Sequence, residues 1–181
     1  MRKYFLACVL WISGVVVPSM KIYSGDTARV INVYVSPRME LLGVIELLSN
    51  AEMLITPYDI SYKRDALEYF SDFKSAPAVR LFSELLRDEG FDYDAPVTTV
   101  LYLSVPPELI QKIPFTDYLK NRAGGEEKLI DFVNALRDFA HESKFMSFFE
   151  AHKAYFSQLV EKVNKTIDND WITPYWTTTM G

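Results

Sequence analysis

"GGEEKLIDFVNALRDFAHESKFMSFFEAHKAYFSQLVEKVNKTI", from Gly124 to Ile167, carries the clearest helical periodicity of this chain. Leu129, Phe132, Val133, Leu136, Phe139 and Ala140 recur at spacings of three and four, which predicts one amphipathic helix. Glu126 and Glu127 fall in its first turn, just after two glycines, where negative charge suits the positive end of the helix dipole. Phe148, His152, Tyr155, Phe156, Leu159 and Val163 form a second stripe and predict a helix over about 145–167. Two such helices in succession predict a helical hairpin.

The same stretch holds both histidines of the chain, His141 and His152, and His141 is followed by Glu142. A zinc helix of the H-E-x-x-H type needs its imidazoles at i and i+4, on one face. Here they stand eleven apart, and Phe145 occupies the place of the second ligand. His141 sits on the charged side of its helix, beside Arg137 and Asp138. His152 lies on a phenylalanine-lined face and reads as a hydrogen-bonded core or boundary histidine. The pair is not a zinc site.

Working back toward the N-terminus, Pro106, Pro107 and Pro114 break residues 105–115 into loop and short turns. Val97 to Val105 is read as a short buried helix, with Asp94 as its N-cap and Pro96 in its first turn. A helix opens at Pro77, buries Val79, Leu81, Phe82, Leu85 and Leu86, and stops at Gly90, suited to a left-handed terminator. Another covers Tyr62 to Phe73. Pro37 begins a broadly apolar helix with Met39, Leu41, Leu42, Val44, Ile45, Leu47 and Leu48, a pattern expected of a helix buried on most of its surface. Before it, "RVINVYV" (Arg29 to Val35) is rich in β-branched residues and predicts a strand.

The N-terminus differs in kind. Arg2 and Lys3 precede an apolar run from Tyr4 to Val17, and Pro18-Ser19 follow, the layout of a secretory signal peptide cut after Ser19. The run spans 14 residues, short of the roughly 20 that cross a bilayer as a helix. Membrane association is expected only if this segment stays uncleaved. Its removal takes away two cations, so the net charge of −5 becomes −7. Removal also takes Cys8, the only cysteine, and with it disulfides and thiolate chemistry. The expected organisation is 1–19 signal peptide, 20–28 linker and 29–181 one helical domain, placed outside the cytoplasm as a secreted, periplasmic or cell-envelope protein.

With 49% hydrophobic and 14% aromatic residues, the chain has enough apolar side chains for one real core. A pI near 5.1 excludes the basic footprint of a nucleic-acid binder. Other chemistry is also missing. Asp168 and Asp170 lack the glycine and distal glutamate of a calcium loop. Asp92 and Asp94 suit turn and cap duties, no serine lies in a G-x-S-x-G context, and Gly124-Gly125 lacks the lysine and spacing of a phosphate loop. Tyr58, Tyr62, Tyr69, Phe70 and Phe73 suit core positions better than a peptide or glycan groove. Trp171, Tyr175 and Trp176 crowd six positions and call for something to pack on.

Five phrases occur in order: "VYVSPRMELLGVIELLS" (Val33 to Ser49), "YFSDFKSAPAVRLFSEL" (Tyr69 to Leu85), "GFDYDAP" (Gly90 to Pro96), "LYLSVPPEL" (Leu101 to Leu109) and Arg122 to Phe156. Together they resemble the N-terminal half of an exported bacterial family of the DUF4932 type, a domain of unknown function. The resemblance implies zinc-dependent peptidases whose metal helix lies in a second half. No position here matches that metal motif, so no catalytic, cofactor-binding or metal residue is carried over, and zinc is expected only with a downstream catalytic half. The fold expectation is α+β but predominantly α: one N-terminal strand, a multi-helix array and a terminal helical hairpin, forming an incomplete domain. The functional expectation is the helical, inactive part of such a peptidase. The alternative is a self-sufficient secreted module that binds a peptide, a glycan or a protein partner.

Overall fold

A computed structural model of the chain describes residues 33–49 and 60–166. The expected signal peptide and linker, strand residues 29–32, Tyr58, the Asp168 and Asp170 pair and the Trp171–Trp176 cluster lie outside the described residues. Among those described, eight α-helices follow in order: α1 (Pro37–Leu48), α2 (Ser61–Tyr69), α3 (Pro77–Glu84), α4 (Asp94–Leu101), α5 (Asp117–Arg122), α6 (Glu126–Glu142), α7 (Phe145–Ala151) and α8 (Lys153–Thr166). The architecture is predominantly helical. Among the described residues, β-structure is confined to bridge positions, Val35 and the antiparallel pair Leu103–Gln111.

Helix α1 is the axis of the fold. Ser36 is extended and Pro37 opens the helix, where its fixed φ and missing N–H cost nothing. Nine of the twelve residues are buried, among them Leu41, Leu42 and Ile45, as the all-round apolar pattern requires. Helices α2, α3, α4 and α7 pack against α1, and α6 packs against α3, α5 and α7. Between these layers sit Phe70, Phe82, Phe91, Phe132 and Phe145, all fully buried. Each such side chain contributes roughly 1.5–3 kcal/mol through the surface it removes from water.

Arginines tie the loops to this core. Arg38 Nη1 donates to the carbonyls of Leu101 (3.0 Å) and Leu103 (2.8 Å), fixing the end of α4. Arg137 donates to Glu108 O (2.6 Å) and Leu109 O (3.2 Å), holding the proline-rich loop against α6. Arg122 donates to Gly90 O and pairs with Asp92. These bonds supply carbonyls that have no partner in a regular ladder.

Helix α3 runs on through one π-helical turn, Leu85–Glu89, and Gly90 closes it at φ 69° as a left-handed terminator. Four boundaries differ from the sequence reading. The helix read over Tyr62 to Phe73 ends at Tyr69 and is followed by a separate 3₁₀ turn, Ser71–Phe73. The helix read over 97–105 is α4; Tyr102 turns out of it and Leu103 enters the bridge. Tyr93, at φ 50°, holds the N-cap position instead of Asp94, whose carboxylate accepts from Tyr118 Oη at 3.0 Å. The single helix read over 145–167 is two. His152 Nδ1 donates to Phe148 O (2.9 Å), the carbonyl its own backbone N–H would take in a continuous helix. That N–H turns instead to Phe149 O (3.1 Å). A side chain inserted into the i−4 ladder breaks α7 from α8. Ser143 and Lys144 form the two-residue link between α6 and α7, with Lys144 left-handed at φ 53°.

Candidate functional site

The two histidines are not brought together. His141 is exposed on the last turn of α6, while His152 lies at the α7–α8 break, 19% exposed at its side chain. The His152 ring meets Tyr62 edge-on (centroids 5.1 Å apart) and Phe148 at 4.2 Å. Because a carbonyl only accepts, Nδ1 carries a proton; Nε2 faces Asp65 Oδ2 at 3.4 Å. Both ring nitrogens therefore point at acceptors of this chain. Among the described residues no group of three or more His, Cys, Asp or Glu is placed to hold a metal ion.

Tyr62 is the centre of an aromatic cluster, stacked on Tyr155 (5.3 Å, 8° between planes) and edge-on to Phe156. Its hydroxyl donates to Glu40 Oε2 at 2.5 Å. Burial, and then the Glu40 charge, push the Tyr62 hydroxyl far up, so it stays a donor at every physiological pH. Tyr69 and Phe70 join the same cluster through Phe148. Tyr62 and Phe70 are buried core, Tyr69 stays 43% exposed beside them, and none of the three lines the groove along α8.

Glu46 is a different matter. It lies in α1, fully buried, and neither carboxylate oxygen has a hydrogen-bond partner. Burial raises its pKa well above the ordinary carboxylate range. An unpartnered buried acid of this kind is costly and calls for an explanation. The sign was present in the sequence: "MELLGVIELL" places a glutamate at 46 amid apolar neighbours on all sides.

An open groove of about 660 Å³ runs along α8. One wall is the extended segment Val33, Tyr34 and Val35; the floor is Phe149, Phe156 and Val160. Lys153, Glu161 and Lys165 form the polar rim, with Lys153 paired to Glu150 and Lys165 to Glu161 (2.6 Å). Its positions on α8, at 153, 156, 157, 160, 161, 164 and 165, make one continuous stripe at helical spacing. Among the described side chains of α8, only Phe156 is buried, so the apolar stripe is unfinished.

A smaller depression, about 290 Å³, lies where the end of α1 meets α3 and carries Lys74, Arg80 and Arg87. It is not a ready anion cradle. Arg87 spends its guanidinium on both oxygens of Asp88 (2.7 and 2.8 Å). The Ser49 and Ser83 hydroxyls donate to backbone carbonyls of their own helices. Of the acidic residues singled out from the sequence, Glu126 pairs with Lys120 (3.0 Å) and Asp92 with Arg122, both as local ties. No helix among the described residues is long and apolar enough to cross a membrane. Set against protein-family models, curated proteins and solved structures, this chain matches none of them.

Proposed function

We propose that this chain is a non-catalytic helical scaffold of an exported protein, whose groove along α8 seats a further polypeptide segment. In this reading it corresponds to the helical N-terminal part of a DUF4932-type zinc peptidase, with zinc and hydrolysis supplied by a catalytic half outside this sequence. The observation that carries the reading is the groove itself: an apolar floor of Phe149, Phe156 and Val160, open, with a polar rim. An apolar concavity rimmed by charge is the usual form of a polypeptide-binding surface. Against it as an enzyme site stand the engaged ring nitrogens of His152 and the absence from the groove lining of any histidine.

The test is the intact mass of the native secreted protein, measured together with its zinc content. A species heavier than 20.9 kDa that carries one zinc is expected. A native species at or below that mass would overturn the reading.

A further inference from the structure

We infer that Trp171–Trp176 fill the groove along α8, so that the segment following α8 is the first polypeptide the groove seats; this rests on reading the groove as a seat for polypeptide. Three observations carry it. The groove reaches the last described turn of α8, since Asn164 and Lys165 line it and α8 is described to Thr166. The connection is long enough. Thr166 to Trp171 is five residues, or about 17 Å of extended chain. Thr166 back to Val160 is six residues of helix and back to Phe156 ten, about 9 and 15 Å. A chain that reverses beyond residue 166 therefore brings Trp171 to Val160, and Trp176, ten residues on and about 34 Å of extended chain away, to Phe156.

The third observation is chemical. "WITPYW" offers two indoles and a phenol within six residues, and each such side chain buries roughly 150–250 Å² when it finds a partner. The groove presents Phe149, Phe156 and Val160 at its floor and leaves charge only at its rim. Indole N–H and phenol O–H groups suit such a boundary, with an apolar body inward and a polar tip toward water. Residues 20–32 lead into the opposite wall at Val33, and a second copy of the chain could bring the same aromatics in trans. Both are distinguished by the experiment.

The chain carries three tryptophans, at 11, 171 and 176. In a Trp11→Phe background, tryptophan emission therefore reports only on the proposed occupant. The full chain is measured by emission maximum and acrylamide quenching over a tenfold dilution series, with and without Val160→Glu. Val160 is only partly buried, so far-UV circular dichroism should be unchanged; Ile130→Glu, at an exposed site on α6, is the control. Blue-shifted, poorly quenched emission that is independent of dilution is expected, with a several-fold rise in quenching in Val160→Glu alone. Fully quenchable tryptophans in the parent, or shielding that Val160→Glu does not touch, overturns the inference, as would be seen were residues 20–32 the occupant. Shielding lost on dilution overturns it in favour of a second copy. None of these outcomes bears on the mass and zinc of the native protein, so the two readings fail separately.

Discussion

Replacing Glu46 with glutamine should make the protein more stable, and increasingly so as the pH rises. The carboxyl is fully buried with no hydrogen-bond partner on either oxygen, and burial alone raises its pKa well above the ordinary value near 4.5. In the unfolded chain the same group ionises freely. Below pH 4.5 both states hold the proton and the group is neutral toward stability. Above it, the unfolded state sheds the proton while the folded state keeps it, so stability falls by up to about 1.4 kcal/mol per pH unit until the folded-state pKa is reached. Glutamine has nearly the same shape and an uncharged amide, so it removes the titration while leaving the packing in place. Urea unfolding followed by circular dichroism at pH 5, 6, 7 and 8 gives the comparison. Glu46→Gln should match the parent to within about 1 kcal/mol at pH 5, and its advantage should widen from there as the pH rises, by no more than about 1.4 kcal/mol per pH unit. Two stability profiles that run parallel from pH 5 to 8 would refute the reasoning, because they would mean that Glu46 ionises as readily in the folded protein as in the unfolded one.

Three further substitutions probe the polar and backbone devices. Gly124 sits at φ 69°, and a Cβ there would run into the Glu89 carboxylate, which pairs with Lys128 across the start of α6. Gly124→Ala should cost about 1–2 kcal/mol, read as a lower melting temperature. Gly43→Ala, mid-helix in α1 with open space around it, should instead gain about 0.5–1 kcal/mol. Tyr62→Phe keeps the ring stack on Tyr155 but removes the donor to the buried Glu40. A loss of about 1.5–3 kcal/mol in urea unfolding is expected, and an unchanged midpoint would show that the bond contributes nothing.

Apolar spacing located the helices well, because a helix exposes its period to inspection one residue at a time. The stripe from Leu129 to Ala140 is buried on α6, and Phe148 and Phe156 are buried on the next pair. Gly90 ends α3 in the left-handed conformation that only glycine adopts without strain. The break at His152 was hidden for the opposite reason. It depends on which carbonyl an imidazole chooses, and the stripe of apolar residues passes through that position without interruption. The N-cap at Tyr93 was likewise settled from outside the helix, by Tyr118 drawing the Asp94 carboxylate away.

By itself the sequence determined a predominantly helical chain, with α1 buried nearly all round and no paired histidines to hold zinc, since these follow from side-chain period and spacing along one strand of polymer. Only the tertiary structure decided that Glu46 would be sealed without a partner and that residues 33–35 would face α8 across an open apolar groove. Both are products of packing between segments far apart in the chain: Val35 and Phe156 stand 121 positions apart. Burial and concavity belong to surfaces that meet, and local pattern carries no record of which surfaces those will be.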